Sequence, residues 1–380
     1  MNGNSVLIVS QRNRPDGFGR QPGYVSFTEA EDVLAACADA DLAFIDVDPS
    51  QLRMRAWRLA GRTARRAIGV NGAAPLLAAA HPRTATERPL REHYDIAIFI
   101  GFTTWDLPLL QGVGDIRRIA DKVIVWFPEA WPSEFADPRL RHEPFAIADE
   151  IFVGVKATTD ELQAVASCPV HHVPPAVDVT RFAAVPLDAR RPIDVLGIGR
   201  RDPGLHRALL DWSRKRHRLY VYDTIRGTEV PDTPAHRENL GDTYRRTNIA
   251  ITNYAKYDLP EVIGDLRETP GRLWEGLASG ALMVGFAPDE ALQRELLGEC
   301  MVIDLPTNPA AAVELIDELH DVDHSARRQR QVAVALRGHD WIHRWTRIFE
   351  LAGLPMPDGF DTRGQQLDAL AAALETSPLS

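Results

Sequence analysis

An α/β architecture with two parallel sheets is the fold class that this sequence predicts, and three observations carry it. Short β-branched runs alternate with longer amphipathic stretches, the pattern of strands layered with helices. The alternation occurs twice, before and after residues 183–192, a stretch rich in Pro and Arg that has no periodicity and suits a linker. The length, 380 residues, exceeds one ordinary core and suits two.

In the first half, strands are expected at 5–10, 42–47, 95–100, 122–127 and 150–153, because each is a short apolar run. Helices are expected around 29–39, 51–67 and 158–166. The second half restarts at 193–198 and continues with strands at 219–222, 249–252, 282–286 and 301–304, with helices between them. Near the end, residues 337–353 read as one amphipathic helix with Trp341, Trp345, Ile348 and Phe349 along one side, and 365–375 as a short apolar-faced helix. Ligands of such sheets sit outside the C-terminal strand ends, so the loops after the strands are where function is expected.

The 43 basic and 53 acidic residues give a formal net charge of −10, which argues against a general nucleic-acid binder. Cys37, Cys168 and Cys300 are far apart, with neither zinc-like spacing nor the even count of a disulfide frame. No apolar run approaches a membrane span, and the chain enters its first strand without a cleavable signal pattern, so a cytoplasmic protein is expected. His339 and His343 share a helix face, but no third ligand accompanies them. No Asp-x-Asp pair sits in a loop suited to a metal, and no Gly-x-Ser-x-Gly elbow is present.

Residues 262–286, VIGDLRETPGRLWEGLASGALMVGF, carry the most chemistry. Thr269 is read as an N-cap and Pro270 as the first helical residue. Gly271 then leaves the first-turn N–H groups open to an anion such as a diphosphate, and Arg272 adds a cation. Gly280 stops the helix, and a buried strand follows. The same segment also suits an ordinary α/β connection. Candidate acids lie in loops of the first half: Asp16 in QRNRPDGFGRQPGY, Asp106 beside Trp105 in GFTTWDLP, and Glu129 in VIVWFPEAWPSEF, where desolvation raises a carboxylate pKa. Trp131 either stacks on an acceptor or packs in the core, and the same choice applies to Trp126.

Three segments together, VPPAVDVTRF at 173–182, DVLGIGRRD at 194–202 and RLWEGLASGALMVG at 272–285, resemble the motifs of nucleotide-sugar-dependent glycosyltransferases of the GT-B fold. The resemblance is to the large retaining-type group and its spore-coat-like relatives. It implies two Rossmann-like domains facing across a cleft: an acceptor-binding domain at 1–182, a linker at 183–192 and a nucleotide-sugar domain at 193–336. Helices at 337–380 would cross back to the first domain.

The resemblance also assigns roles. Glu275 falls at the position that accepts hydrogen bonds from the donor ribose. The family glutamate eight residues earlier is replaced here by Arg267, with Glu268 its neighbour. Gly199 admits the diphosphate, and Arg200 offsets leaving-group charge, with Arg201 as the alternative. Lys256 supplies a second phosphate-facing cation. Tyr222 and Tyr244 either flank the base or fill the interface between helix and sheet. Gly17 and Gly19 resemble the glycine-bearing loop near the donor phosphates and acceptor.

The implied reaction moves a sugar from a nucleoside diphosphate sugar to a hydroxyl-bearing acceptor such as a glycan or natural product, without metal or other cofactor. Arg267 leaves retention or inversion open; inversion would call on Glu129, Asp106 or Asp16 as base. Two other readings stand beside it: a nucleotide-sugar epimerase of the same fold, and an inactive sugar-nucleotide-binding subunit. Modified DNA is a minor option as acceptor.

Overall fold

The computed structural model describes residues 5–12, 20–44, 90–102, 115–135, 143–187, 190–224 and 229–377, with Thr63, Ala67, Asp106, Leu107, Leu110 and Val113 between them. Of the helix expected at 51–67, only Thr63 and Ala67 are among the described residues, and both are helical. The chain falls into two compact units. The first comprises Met1–Pro175, Glu229–Thr233 and Arg344–Thr362; the second comprises Ala176–Thr228, Pro234–His343 and Arg363–Ser380.

The first unit is built on β1 (Ser5–Ser10), β2 (Asp39–Phe44), β3 (Tyr94–Ile100), β4 (Ala120–Phe127), β5 (Glu150–Val153) and β6 (Val170–His172). They lie in the order β2-β1-β3-β4-β5-β6, and every pairing is parallel. The central strands are continuous apolar runs because both faces are covered, as parallel sheets require. Helix α1 (Val25–Cys37) packs on this sheet, and α2 (Thr158–Gln163) follows β5.

The second unit carries β7 (Ile193–Gly197), β8 (Tyr220–Tyr222), β9 (Thr247–Ile251), β10 (Leu282–Gly285) and β11 (Ile303–Asp304), in the order β11-β10-β9-β7-β8 and again all parallel. Its helices are α3 (Val179–Phe182), α4 (Pro203–Arg216), α5 (Thr233–Arg245), α6 (Gly271–Ser279), α7 (Glu290–Leu297), α8 (Pro309–His320) and α9 (Ser325–Gly338). Helices α10 (Trp341–Leu351) and α11 (Asp358–Thr376) each run from one unit into the other. The chain enters the second unit at Ala176, ahead of the Pro- and Arg-rich stretch, because α3 packs against α6.

The two parallel sheets match the expected class, and several boundaries differ. Strand β2 begins at Asp39, where a helix end was expected, because Asp39 and Asp41 are held at the sheet edge by Arg91 at 2.6 and 2.9 Å. Strand β6 was not anticipated: its two histidines hide it, although His171 stacks near Phe152 and bonds Glu150 at 3.0 Å.

The helix expected at 337–353 is α10, which starts only at Trp341, because α9 ends at Gly338 and the chain breaks at His339–Asp340. The Asp340 carboxylate accepts the Ile342 N–H at 3.0 Å, which starts α10, and the Val179 N–H at 3.0 Å. Arg363 closes the corner on Asp340 and Asp178. Burial alone would raise the Asp178 carboxyl, but Arg363 and Thr180 hold it below its ordinary value.

The returning segment Arg344–Thr362 completes the first unit's core. Trp345 packs edge-on against Trp126, with centroids 5.8 Å apart, and its Nε1 donates to the Ala30 carbonyl at 2.9 Å. Lys122 donates to the Ala352 carbonyl at 2.5 Å. Both indoles are 0% exposed, so the aromatic stripe read from the sequence is core.

Candidate functional site

The chain leaves β7 for β8 on one side of the second sheet and returns to β9 on the other, so the loops after β7 and β9 flank a topological switch point. A cavity of about 600 Å³ lies over these strand ends, lined by Arg201 and Asp202 after β7, Tyr254 and Tyr257 after β9, Phe286 after β10 and Leu305 after β11.

The loop after β7 turns on Gly199, whose φ of +88° is open to glycine and costly for other residues. Its N–H donates to the Asp223 carboxylate at 3.2 Å. Arg201 donates to the same carboxylate at 3.0 Å and lies over the Tyr222 ring, 5.3 Å from its centroid. Asp202 caps α4 by accepting the Leu205 N–H at 2.7 Å. Arg200 forms an exposed pair with Asp258, on the cavity wall, at 2.7 Å.

Helix α6 starts one residue later than its sequence suggests. Pro270, not Thr269, holds the cap position, with ψ at 158° and no side-chain cap. A proline ring carries no acceptor, so the N-cap residue itself does not cover the first-turn N–H groups. A Cβ added at Gly271 would meet nothing within 4 Å, which leaves the space before the helix open. Gly280 ends α6 at φ +70°, as expected.

One turn into α6, Glu275 is buried between two arginines. Its Oε1 accepts from Arg237 of α5 at 2.5 Å, and its Oε2 from Arg272 at 2.8 Å. Arg237 also lies over the Phe182 ring of α3, 4.7 Å from its centroid. Burial would raise the Glu275 carboxyl, but Arg272 and Arg237 hold it below its ordinary value. Burial and the same two arginines push His236 down, toward its neutral form. Two guanidiniums thus share the Glu275 carboxylate. Arg272 meets the glycine loop, since a Cβ on Gly199 would sit 3.6 Å from its Nε.

The other expected residues distribute unevenly. Tyr222 is half-buried at the mouth of this region, packed on His206 and Tyr220. Tyr244 is 2% exposed and edge-on to Phe182, which makes it a core residue and leaves its ring unavailable for stacking on a base. Lys256 lies in the turn after β9 with φ at +51°. Glu268 is buried and its carbonyl accepts the Ala255 N–H at 2.9 Å, whereas Arg267 is exposed.

In the first unit, Glu129 is half-buried in the turn after β4, and Asp106 accepts the Phe102 N–H at 2.8 Å. Trp131, at 1% exposure, is buried in the core and presents no face to an acceptor. Asp16, Gly17, Gly19 and Trp105 lie outside the described residues. His339 stacks on Trp274, and His339 and His343 each bond a backbone carbonyl, consistent with packing. Among the described residues, no group of three His, Cys, Asp or Glu is arranged to hold a metal ion.

Two residues escaped the sequence reading. Arg237 sits in a polar helix where nothing marks it, and its importance depends on α5 lying beside α6. Glu31 left a fainter signal as an acid on the apolar face of α1; burial raises its carboxyl, and Ser10 and Arg12 bond it at 2.6 and 3.0 Å.

A scan against protein-family models and a search of curated protein sequences both gave no match. Solved structures do match. Anabaena HepE in complex with UDP and glucose is 11% identical with a TM-score of 0.51, over 92% of this chain and 99% of that one. An alpha-glucosyltransferase in complex with UDP and a 13-mer DNA is 12% identical with a TM-score of 0.55, over 92% of this chain and 100% of that one. The N-terminal domain of Candida albicans trehalose-6-phosphate phosphatase is 10% identical with a TM-score of 0.55, over 93% of this chain and 97% of that one. At this level of identity the likeness bears on architecture, and it covers both sheets: the chain has the GT-B fold.

Proposed function

We propose that the protein is a glycosyltransferase that moves a sugar from a nucleoside diphosphate sugar to a hydroxyl group of an acceptor. The observation that carries this reading is the Arg237–Glu275–Arg272 cluster, which holds the Arg272 guanidinium at the N-terminus of α6 beside Gly199. A guanidinium beside a glycine loop and a helix N-terminus forms a donor set that suits a diphosphate. The fold supports the same reading, since HepE and the alpha-glucosyltransferase of the matched structures are both in complex with UDP.

In this scheme the diphosphate accepts from Arg272 and the first-turn N–H groups of α6, and the same donors stabilise the charge that grows on the departing nucleotide. Glu275 is assigned to hold Arg272 in place while offering its remaining lone pairs to the ribose. Tyr222, beside Arg201, is assigned to the base. The arginines and the helix end supply the charge compensation, so transfer proceeds without a metal. The acceptor carries a free hydroxyl and is a glycan or small molecule, because a chain of net charge −10 is a poor partner for DNA. A cytoplasmic setting belongs to this reading. No helix among the described residues is long and apolar enough to cross a membrane.

The test is a calorimetric screen against UDP, GDP, TDP and ADP sugars, with Arg272→Ala as control. Selective binding that weakens in the variant supports the site and names the nucleotide. Absence of binding to every sugar nucleotide overturns it. Product analysis with and without an acceptor then separates transfer from epimerisation.

A further inference from the structure

Five charged side chains line the cavity at the switch point, and four are already committed. Arg201 bonds Asp223 at 3.0 Å, Asp202 accepts from the Leu205 N–H at 2.7 Å, Asp258 pairs with Arg200 at 2.7 Å, and Asp304 accepts the Ala287 N–H at 2.9 Å. Arg267 differs. Its guanidinium meets no carboxylate among the described residues and lies over the Tyr254 ring, 5.4 Å from the centroid.

Its position is fixed by the backbone on both sides. The Arg267 carbonyl accepts the Asp289 N–H at 2.8 Å, and the adjacent Glu268 carbonyl accepts the Ala255 N–H at 2.9 Å. The loop that carries Arg267 is thereby tied to the loops after β9 and β10. Tyr254 is braced in turn by Tyr257 at 6.0 Å, and Tyr257 by Phe286 at 5.6 Å. The result is a planar fork of N–H donors resting on an aromatic wall, a shape that matches a carboxylate in bidentate fashion.

The remaining wall narrows the guest. Asp202, Asp258 and Asp304 offer acceptors to sugar hydroxyls and repel a phosphate dianion, so a polyhydroxylated ligand with one carboxylate satisfies both kinds of group. We propose that the transferred sugar is acidic, a uronic acid whose carboxylate is held by Arg267. This rests on the nucleotide-sugar reading above and names its substrate class.

The experiment is isothermal titration of the full chain, as wild type, Arg267→Gln and Arg267→Glu, with UDP, UDP-glucose and UDP-glucuronic acid. A charge-assisted bidentate contact predicts that wild type binds UDP-glucuronic acid about tenfold or more tightly than UDP-glucose. That ratio should fall to about twofold or less in Arg267→Gln and invert in Arg267→Glu. An equal or greater wild-type affinity for UDP-glucose, or a ratio unchanged in the variants, overturns the acidic sugar and leaves the nucleotide site standing. No heat from any of the three compounds removes that site, and the acidic sugar with it.

Discussion

Arg237 Nη1 lies 2.5 Å from Glu275 Oε1, and the two side chains are only 4% and 6% exposed. Removing the arginine leaves a carboxylate buried with one partner fewer, the costly half of an ion pair. Arg237→Ala should therefore lose about 3 kcal/mol of stability in urea denaturation. A loss below about 1 kcal/mol, the range of solvent-exposed pairs, would show that water reaches the cluster.

The same carboxylate sets an acid limit. Its folded pKa is depressed below the ordinary 4.5, so the stability it contributes is fully present above that value and is lost as pH falls through the folded pKa. Wild type should weaken progressively below about pH 4.5, and Glu275→Gln, which has no proton to take up, should show a shallower acid slope. Parallel slopes in a pH series of denaturant melts would refute the assignment.

Gly199 tests the glycine loop. Alanine at φ +88° costs about 1–2 kcal/mol in backbone strain, and its Cβ would fill the space beside Arg272, in van der Waals contact with Nε at 3.6 Å. We expect Gly199→Ala to lower stability by that amount and to weaken sugar-nucleotide binding by about tenfold. Unchanged binding in calorimetry would separate the loop from the ligand.

Asp340 tests the break between α9 and α10. It is fully buried and accepts from the Val179 and Ile342 N–H groups, each at 3.0 Å, as well as from Arg363 at 2.8 Å. Asp340→Ala leaves these donors without their acceptor and should cost about 3 kcal/mol or more. Asp340→Asn keeps one acceptor oxygen and should cost less. Equal losses in the two variants would mean that geometry, not hydrogen bonding, holds the corner.

The sequence is most legible where burial is continuous. Strands β1 and β5 have the expected bounds because an unbroken apolar run between polar residues admits one reading. It is least legible where a polar residue acts through a distant partner. Val170–His172 looks like loop until His171 meets Glu150. The aromatic stripe at 341–349 lies within α10, but the residues before it do not continue that helix, because the buried Asp340 marks a break before Trp341. In the candidate site, Gly199, Arg272 and Glu275 were visible as a glycine loop and a helix start. Arg237 was not, since its partner is 38 residues away on another helix. Trp131 and Tyr244 misled for the opposite reason, because an aromatic ring near a strand end reads the same whether it faces a ligand or the core.

The return of Arg344–Thr362 to the first unit also governs the order in which the protein is made. Trp345 supplies the edge against Trp126 and the donor to the Ala30 carbonyl, yet it leaves the ribosome after the whole second sheet. The first sheet can pair its strands during synthesis but cannot close its core until that segment emerges. A nascent chain halted just short of Arg344 should therefore hold a first unit that proteases still open, and release of the last helices should lock it.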